Sequence, residues 1–111
     1  MNLVITGMLK KFHIQIPLPL KESFDLLCKS GNTIPSWKTN KYDLKTGYIE
    51  WQQSFFSLTG TALITAVLEQ KGEKETSVEI AVHKALQFID PLKICDKVFN
   101  KLDKSWRKNL H

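Results

Sequence analysis

With 111 residues, of which 42% are hydrophobic and 24% charged, the chain has the composition of one globular domain, 1–111, with material for a single core. No apolar run approaches the roughly 20 residues that cross a bilayer, residues 1–9 lack a secretory leader, and no repeat occurs, so the reading is a soluble cytoplasmic domain without a membrane span. The net charge of +5 leans towards acidic or polyanionic partners, yet Arg107 is the one arginine among sixteen basic residues, which argues against the bidentate reading of DNA bases.

Residues 1–8 read either as a strand extension or as a flexible tail, with Met8 an alternative start. In 11–16, Phe12, Ile14 and Ile16 alternate with His13 and Gln15, the period of a half-buried strand, which Pro17 and Pro19 end. In 20–30, Leu20, Phe24, Leu27 and Cys28 share one helical face, and Gly31 with Asn32 are read as the left-handed residues that finish the helix. The polar, lysine-bearing stretch 35–43 suits an exposed edge strand. After a turn at 44–47, Ile49, Trp51, Gln53 and Phe55 alternate with Tyr48, Glu50, Gln52 and Ser54.

The branched, doubly apolar stretch 61–69 fits a central strand, and 70–75, centred on Gly72, a charged hairpin loop. In 76–86, Val78, Ile80 and Val82 oppose Glu79, Ala81 and His83. The closing segment 90–110 is a long helix: Leu92, Cys95, Val98, Phe99, Leu102 and Trp106 form its apolar side, and Asp90 before Pro91 is a start signal. The fold class is therefore α+β, strand, helix, four strands, helix. One curved antiparallel sheet is covered on one face by a short helix and the long C-terminal helix.

The phrases IPLPLKESFDLLCKSGNTIPSW, GYIEW, LTGTALITAVLEQKGEKETSVEIAV and DPLKICDKVFNKLDKSW together resemble a compact member of the START-like, helix-grip (SRPBCC) superfamily over residues 11–106. The resemblance lies in element order and hydrophobic placement. It implies an apolar ligand held between sheet and last helix. The chain departs from the usual plan by lacking a second helix and two further strands, which brings it close to the bare TATA-binding-protein-like repeat.

On this reading Phe12, Trp51, Phe55, Val82, Phe99, Leu102 and Trp106 line a site for an apolar or amphipathic small molecule, bound without catalysis and without a cofactor. The alternative is an interaction module. Lys93, Lys97, Lys101, Lys104 and Lys108 form a basic stripe for an acidic protein or nucleic acid, with Asp103 set to pair with Arg107, and a homodimer through an exposed edge or the outer sheet face is compatible with it.

Catalytic and metal chemistry have little footing. His13, His83 and His111 are far apart in sequence; His13 and His83 could share the outer sheet face, but they lack a third ligand. Cys28 and Cys95 fall on apolar helix faces, where a thiol packs as a small hydrophobe. The glycines form no phosphate loop. Glu50 and Glu79 should point outward, and making either a cavity acid would require turning Trp51 and Phe55 to water.

Overall fold

The structure is a computed structural model that describes residues 7–54, 61–85 and 91–110, with side chains described for 9–54, 61–83 and 94–110. Period-two alternation builds strands β1 (Gly7–Ile16), β2 (Trp37–Asp43), β3 (Tyr48–Gln53), β4 (Ala62–Gly72) and β5 (Glu75–Ala85). Helical spacing builds α1 (Leu20–Asn32) and α2 (Pro91–Asn109). The strands form one antiparallel sheet in the order β1-β5-β4-β3-β2, which leaves β1 and β2 at its edges.

Register sets the core. One row across the sheet runs Phe12, Ile80, Ala66, Ile49, and the next runs Lys10, Val82, Ile64, Trp51. Ile80, Ala66, Ile49, Val82, Ile64 and Trp51 are fully buried. Both helices cover this inner face, α2 over β1 and β5, and α1 against β2, β4 and β5. β4 sits at the sheet centre as expected, but its outer side is not covered: Val67 is 44% exposed, because both helices lie on one face.

Several boundaries differ from the sequence reading. Gly7 and Met8 extend β1 by pairing with Ala85 and Lys84, whereas residues 1–6 and the expected Asp90 cap lie outside the described residues. The hairpin between β4 and β5 is only Glu73 and Lys74, because Gly72 pairs with Glu75 after a bulge. Gly47 closes the 44–47 turn with a positive φ of 68°. Its amide donates to Leu44 O at 3.2 Å, and its carbonyl accepts from Leu68 N at 2.8 Å.

Gly31 does not end α1. The helix runs on to Asn32, and Thr33, in the right-handed region, caps it by donating to Lys29 O. Among the described residues other than glycine, positive φ falls on Ser36, at 75°, in the turn that leads into β2. Glycine is needed at 31 for a different reason: a Cβ there would lie 2.1 Å from Trp51 Nε1 and 2.4 Å from its Cε2.

Candidate functional site at the seam between sheet and last helix

The apolar face of α2 is built by Cys95, Val98, Leu102 and Trp106, which are all buried, with Ile94 and Phe99 half-buried at its flanks. The buried thiol of Cys95 lies 3.9 Å from Val82 O, so the first turns of α2 rest on β5. On the β1 side, Phe99 stacks on Phe12 with ring centroids 4.1 Å apart and planes 2° from parallel. Lys10 Nζ closes that margin by donating to Asp96 Oδ1 at 2.7 Å while standing 5.4 Å from the Phe12 ring centre. Both partners are substantially solvated, so this ion pair contributes little beyond orientation.

The opposite margin of α2 is polar. Ser105 Oγ donates to Ser30 O at 2.9 Å and lies 3.1 Å from Thr33 Oγ1. Asn109 Nδ2 donates to Ser105 O at 3.0 Å and to Ser30 Oγ at 3.4 Å. These bonds tie the C-terminal half of α2 to the end of α1.

On this polar side lies a buried polar group that the sequence reading did not single out. Gln53, fully buried at the end of β3, accepts through Oε1 from Trp37 Nε1 at 2.8 Å and from Lys101 Nζ at 2.9 Å. Indole and ammonium nitrogens only donate, so both bonds require the amide oxygen to face them. The Trp37 and Trp51 rings are tilted by 44° at 5.6 Å. Trp51 Nε1, pressed against Gly31, has no hydrogen-bond partner among the described residues. The signal in the sequence was the in-phase position of Gln53 with Ile49 and Trp51 on an otherwise apolar face.

Of the expected ligand-binding residues, Trp51, Val82, Leu102 and Trp106 belong to one buried cluster, and Phe12 and Phe99 pack against it half-buried. Phe55 lies outside the described residues. Of the basic stripe, Lys97, Lys104 and Lys108 are exposed, and the side chain of Lys93 is not among those described. Lys101 corrects the expectation. It leaves the solvated face and reaches Gln53, because it stands at the edge of the stripe, on the same flank of α2 as Ser105 four residues on. Asp103 pairs with Arg107 at 3.1 Å as expected, and it also accepts from Trp106 Nε1 at 3.0 Å.

The outer sheet face holds the carboxylates and histidines. Glu79 lies beside its neighbours on β1, 3.6 Å from His13 Nε2 and 3.8 Å from Lys11 Nζ. His83 pairs with Leu9 and His13 with Glu79, so the two histidines are four positions out of step, roughly 13 Å along the strands. The two-histidine metal geometry is therefore not formed. Glu50 accepts from Tyr48 Oη at 2.7 Å and from Asn40 Nδ2 at 3.2 Å, and the Tyr48 bond leads in holding its carboxyl below the usual range. The same bond raises the Tyr48 phenol. Cys28 and Cys95 are free thiols; Cys28 is half-buried, and burial, then Asp25, pushes its pKa up.

No family model matches the chain, and the curated proteins hold no match. Solved structures do match. A putative uncharacterised protein from Bacillus thuringiensis superposes with a TM-score of 0.70 at 8% identity, covering 94% of this chain and 97% of that one. Ara h 8.0201 gives 0.69 at 10% identity, covering 91% and 93%. Norcoclaurine synthase from Thalictrum flavum, a point mutant in complex with a transition-state analogue, gives 0.66 at 8% identity, covering 97% of each chain. The fold is thus an α+β fold of the Bet v1-like type.

Proposed function

We propose that this protein is a small START-like domain that binds an apolar or amphipathic small molecule between its sheet and α2, without catalysis. The half-buried Phe12–Phe99 stack carries the reading: it sets two partly exposed aromatic rings at the β1 margin of the apolar seam, where a ligand would have to part sheet and helix. Phe12, Trp51, Phe55, Val82, Phe99, Leu102 and Trp106 are the proposed lining. Support comes from the fold, which is shared with a norcoclaurine synthase whose structure holds a transition-state analogue. The non-catalytic part rests on Glu50 and Glu79 facing away from the seam, where they can do no acid–base work on a ligand inside it. Reduction of the fold towards the bare TATA-binding-protein-like repeat belongs to the same proposal and rests on element order alone.

The test is fluorescence of a hydrophobic dye that brightens on leaving water, in the native protein and in Phe99→Ala. Enhancement that decanol competes away, and that the variant loses while keeping its circular dichroism spectrum, is the expected result. Dye fluorescence unchanged by the protein would end the reading. The basic stripe of α2 is the weaker alternative, since Lys101 faces Gln53 and the exposed row narrows to Lys97, Lys104 and Lys108 among the described side chains. Heparin retention unaffected by Lys97→Glu with Lys104→Glu would remove it.

A further inference from the structure

We infer that two copies of this chain pair through the open edge of β1, joining their sheets into one continuous sheet about a two-fold axis at Phe12. The inference stands apart from the small-molecule reading. The sheet has two edges, and they are built differently. β2 is short, breaks its register with β3 at Asn40 and bears the exposed Lys38 and Lys41, three features that keep a second chain from adding on. β1 has ten residues in unbroken register with β5, and among the described residues no strand lies on its other side.

The charges of β1 do not guard that edge. Lys10 Nζ is drawn to Asp96 of α2 at 2.7 Å, and Lys11 Nζ and His13 Nε2 lean to Glu79 of β5 at 3.8 and 3.6 Å, so all three turn back over their own fold. Both ammonium groups thus bring their own counter-charge, and two edges can meet without the repulsion that a net charge of +5 suggests. Leu9, 49% exposed, is left on the outer face at the edge.

The side chains also select a register. A two-fold axis normal to the sheet sets like faces side by side when opposite residues differ by an even number. Centring the axis on Lys11 would oppose two ammonium groups, and centring it on His13 would run Leu9 against Pro17, which has no amide. Centring it on Phe12 avoids both. Leu9 then meets the partner's Gln15, whose methylenes cover it, and Lys11 meets the partner's His13. On the inner face the two Phe12–Phe99 stacks come side by side, with each α2 lying over its β1 and not beside it.

Sedimentation equilibrium of the full chain at neutral pH should show a monomer–dimer equilibrium. Leu9→Glu with Gln15→Glu opposes like charges twice across the axis, whereas Leu9→Glu with Gln15→Lys opposes unlike charges at the same two exposed positions. The first should dimerise about tenfold more weakly than the second. Tyr42→Glu, at an exposed position on β2, should leave the dimer unchanged. In a Cys28→Ser background, oxidation of mixed Lys11→Cys and His13→Cys chains should link position 11 to position 13 and neither variant to itself. A monomer at every concentration, equal dimerisation of the two charge variants, or loss of the dimer in Tyr42→Glu overturns the inference. Links of 11 to 11 or of 13 to 13 overturn its register. Each of these outcomes leaves the seam as a small-molecule site untouched, because dye binding is read separately.

Discussion

The indole of Trp51 occupies the space that any side chain at position 31 would need: an added Cβ at Gly31 would stand 2.1 Å from Nε1 and 2.8 Å from Cδ1. A β3 side chain thus meets the α1 backbone directly. This contact brings α1 down onto the sheet beside the Trp37–Gln53–Lys101 group, and it is why a glycine is found inside a helix, where it costs about 1 kcal/mol relative to alanine.

Gly31→Ala should therefore destabilise the fold although it improves helix propensity. The ring is fully buried and cannot swing into water, so overpacking of about 1–3 kcal/mol outweighs the propensity gain. Urea denaturation measures it, and a variant as stable as the native protein would show that the ring yields freely.

The Tyr48–Glu50 pair gives a pH signature at each end of the scale. Glu50 is held below its ordinary range by the phenol, so its contribution to stability is present above the unfolded pKa and is lost as pH falls through the lowered folded one. Tyr48 is raised, so its contribution is present below the ordinary phenol range and fades as pH rises through its folded pKa. Tyr48→Phe should move the Glu50 carboxyl carbon titration upward. An unmoved midpoint would mean that the bond is not kept in solution.

Leu102→Ala should cost about 2–5 kcal/mol, since the side chain is fully buried in the α2–sheet contact. Lys104→Ala, two residues further and exposed, should change stability by no more than about 0.5 kcal/mol. Thermal melts of the two variants test whether α2 docks by the face described, and similar losses would reject it.

Asp96→Asn should cost less than about 1 kcal/mol in physiological salt, because the Lys10–Asp96 pair is largely solvated and screened. A larger loss would make this ion pair, rather than the Phe12–Phe99 stack, the closure of the β1 margin.

The architecture was legible because it depends on local periodicity. Ile49, Trp51 and Gln53 announce a strand face by alternation, and Val98, Leu102 and Trp106 a helix face by spacing, whatever they pack against. What was misread depends on the third dimension. The Gly31–Asn32 pair has the composition of a helix end, and only the approach of Trp51 shows that the glycine makes room for a ring. Lys101 fits a lysine stripe by spacing, but its place at the edge of that stripe lets its long stem turn inward to an acceptor on β3, 48 residues away in sequence. Gln53 was placed on the right face, yet a polar residue in phase with apolar neighbours gives no hint of its partners until β2 and α2 are brought beside it.

The account turns on whether a small molecule enters between the sheet and α2, and chemical-shift mapping by two-dimensional NMR with added decanoate tests this most directly. The predicted result is saturable shifts clustered at Phe12, Val82, Phe99, Leu102 and Trp106, with the outer-face residues His13, Val67 and Glu79 unmoved. Shifts confined to the outer face or to Lys97, Lys104 and Lys108, or no shifts at all, would contradict it.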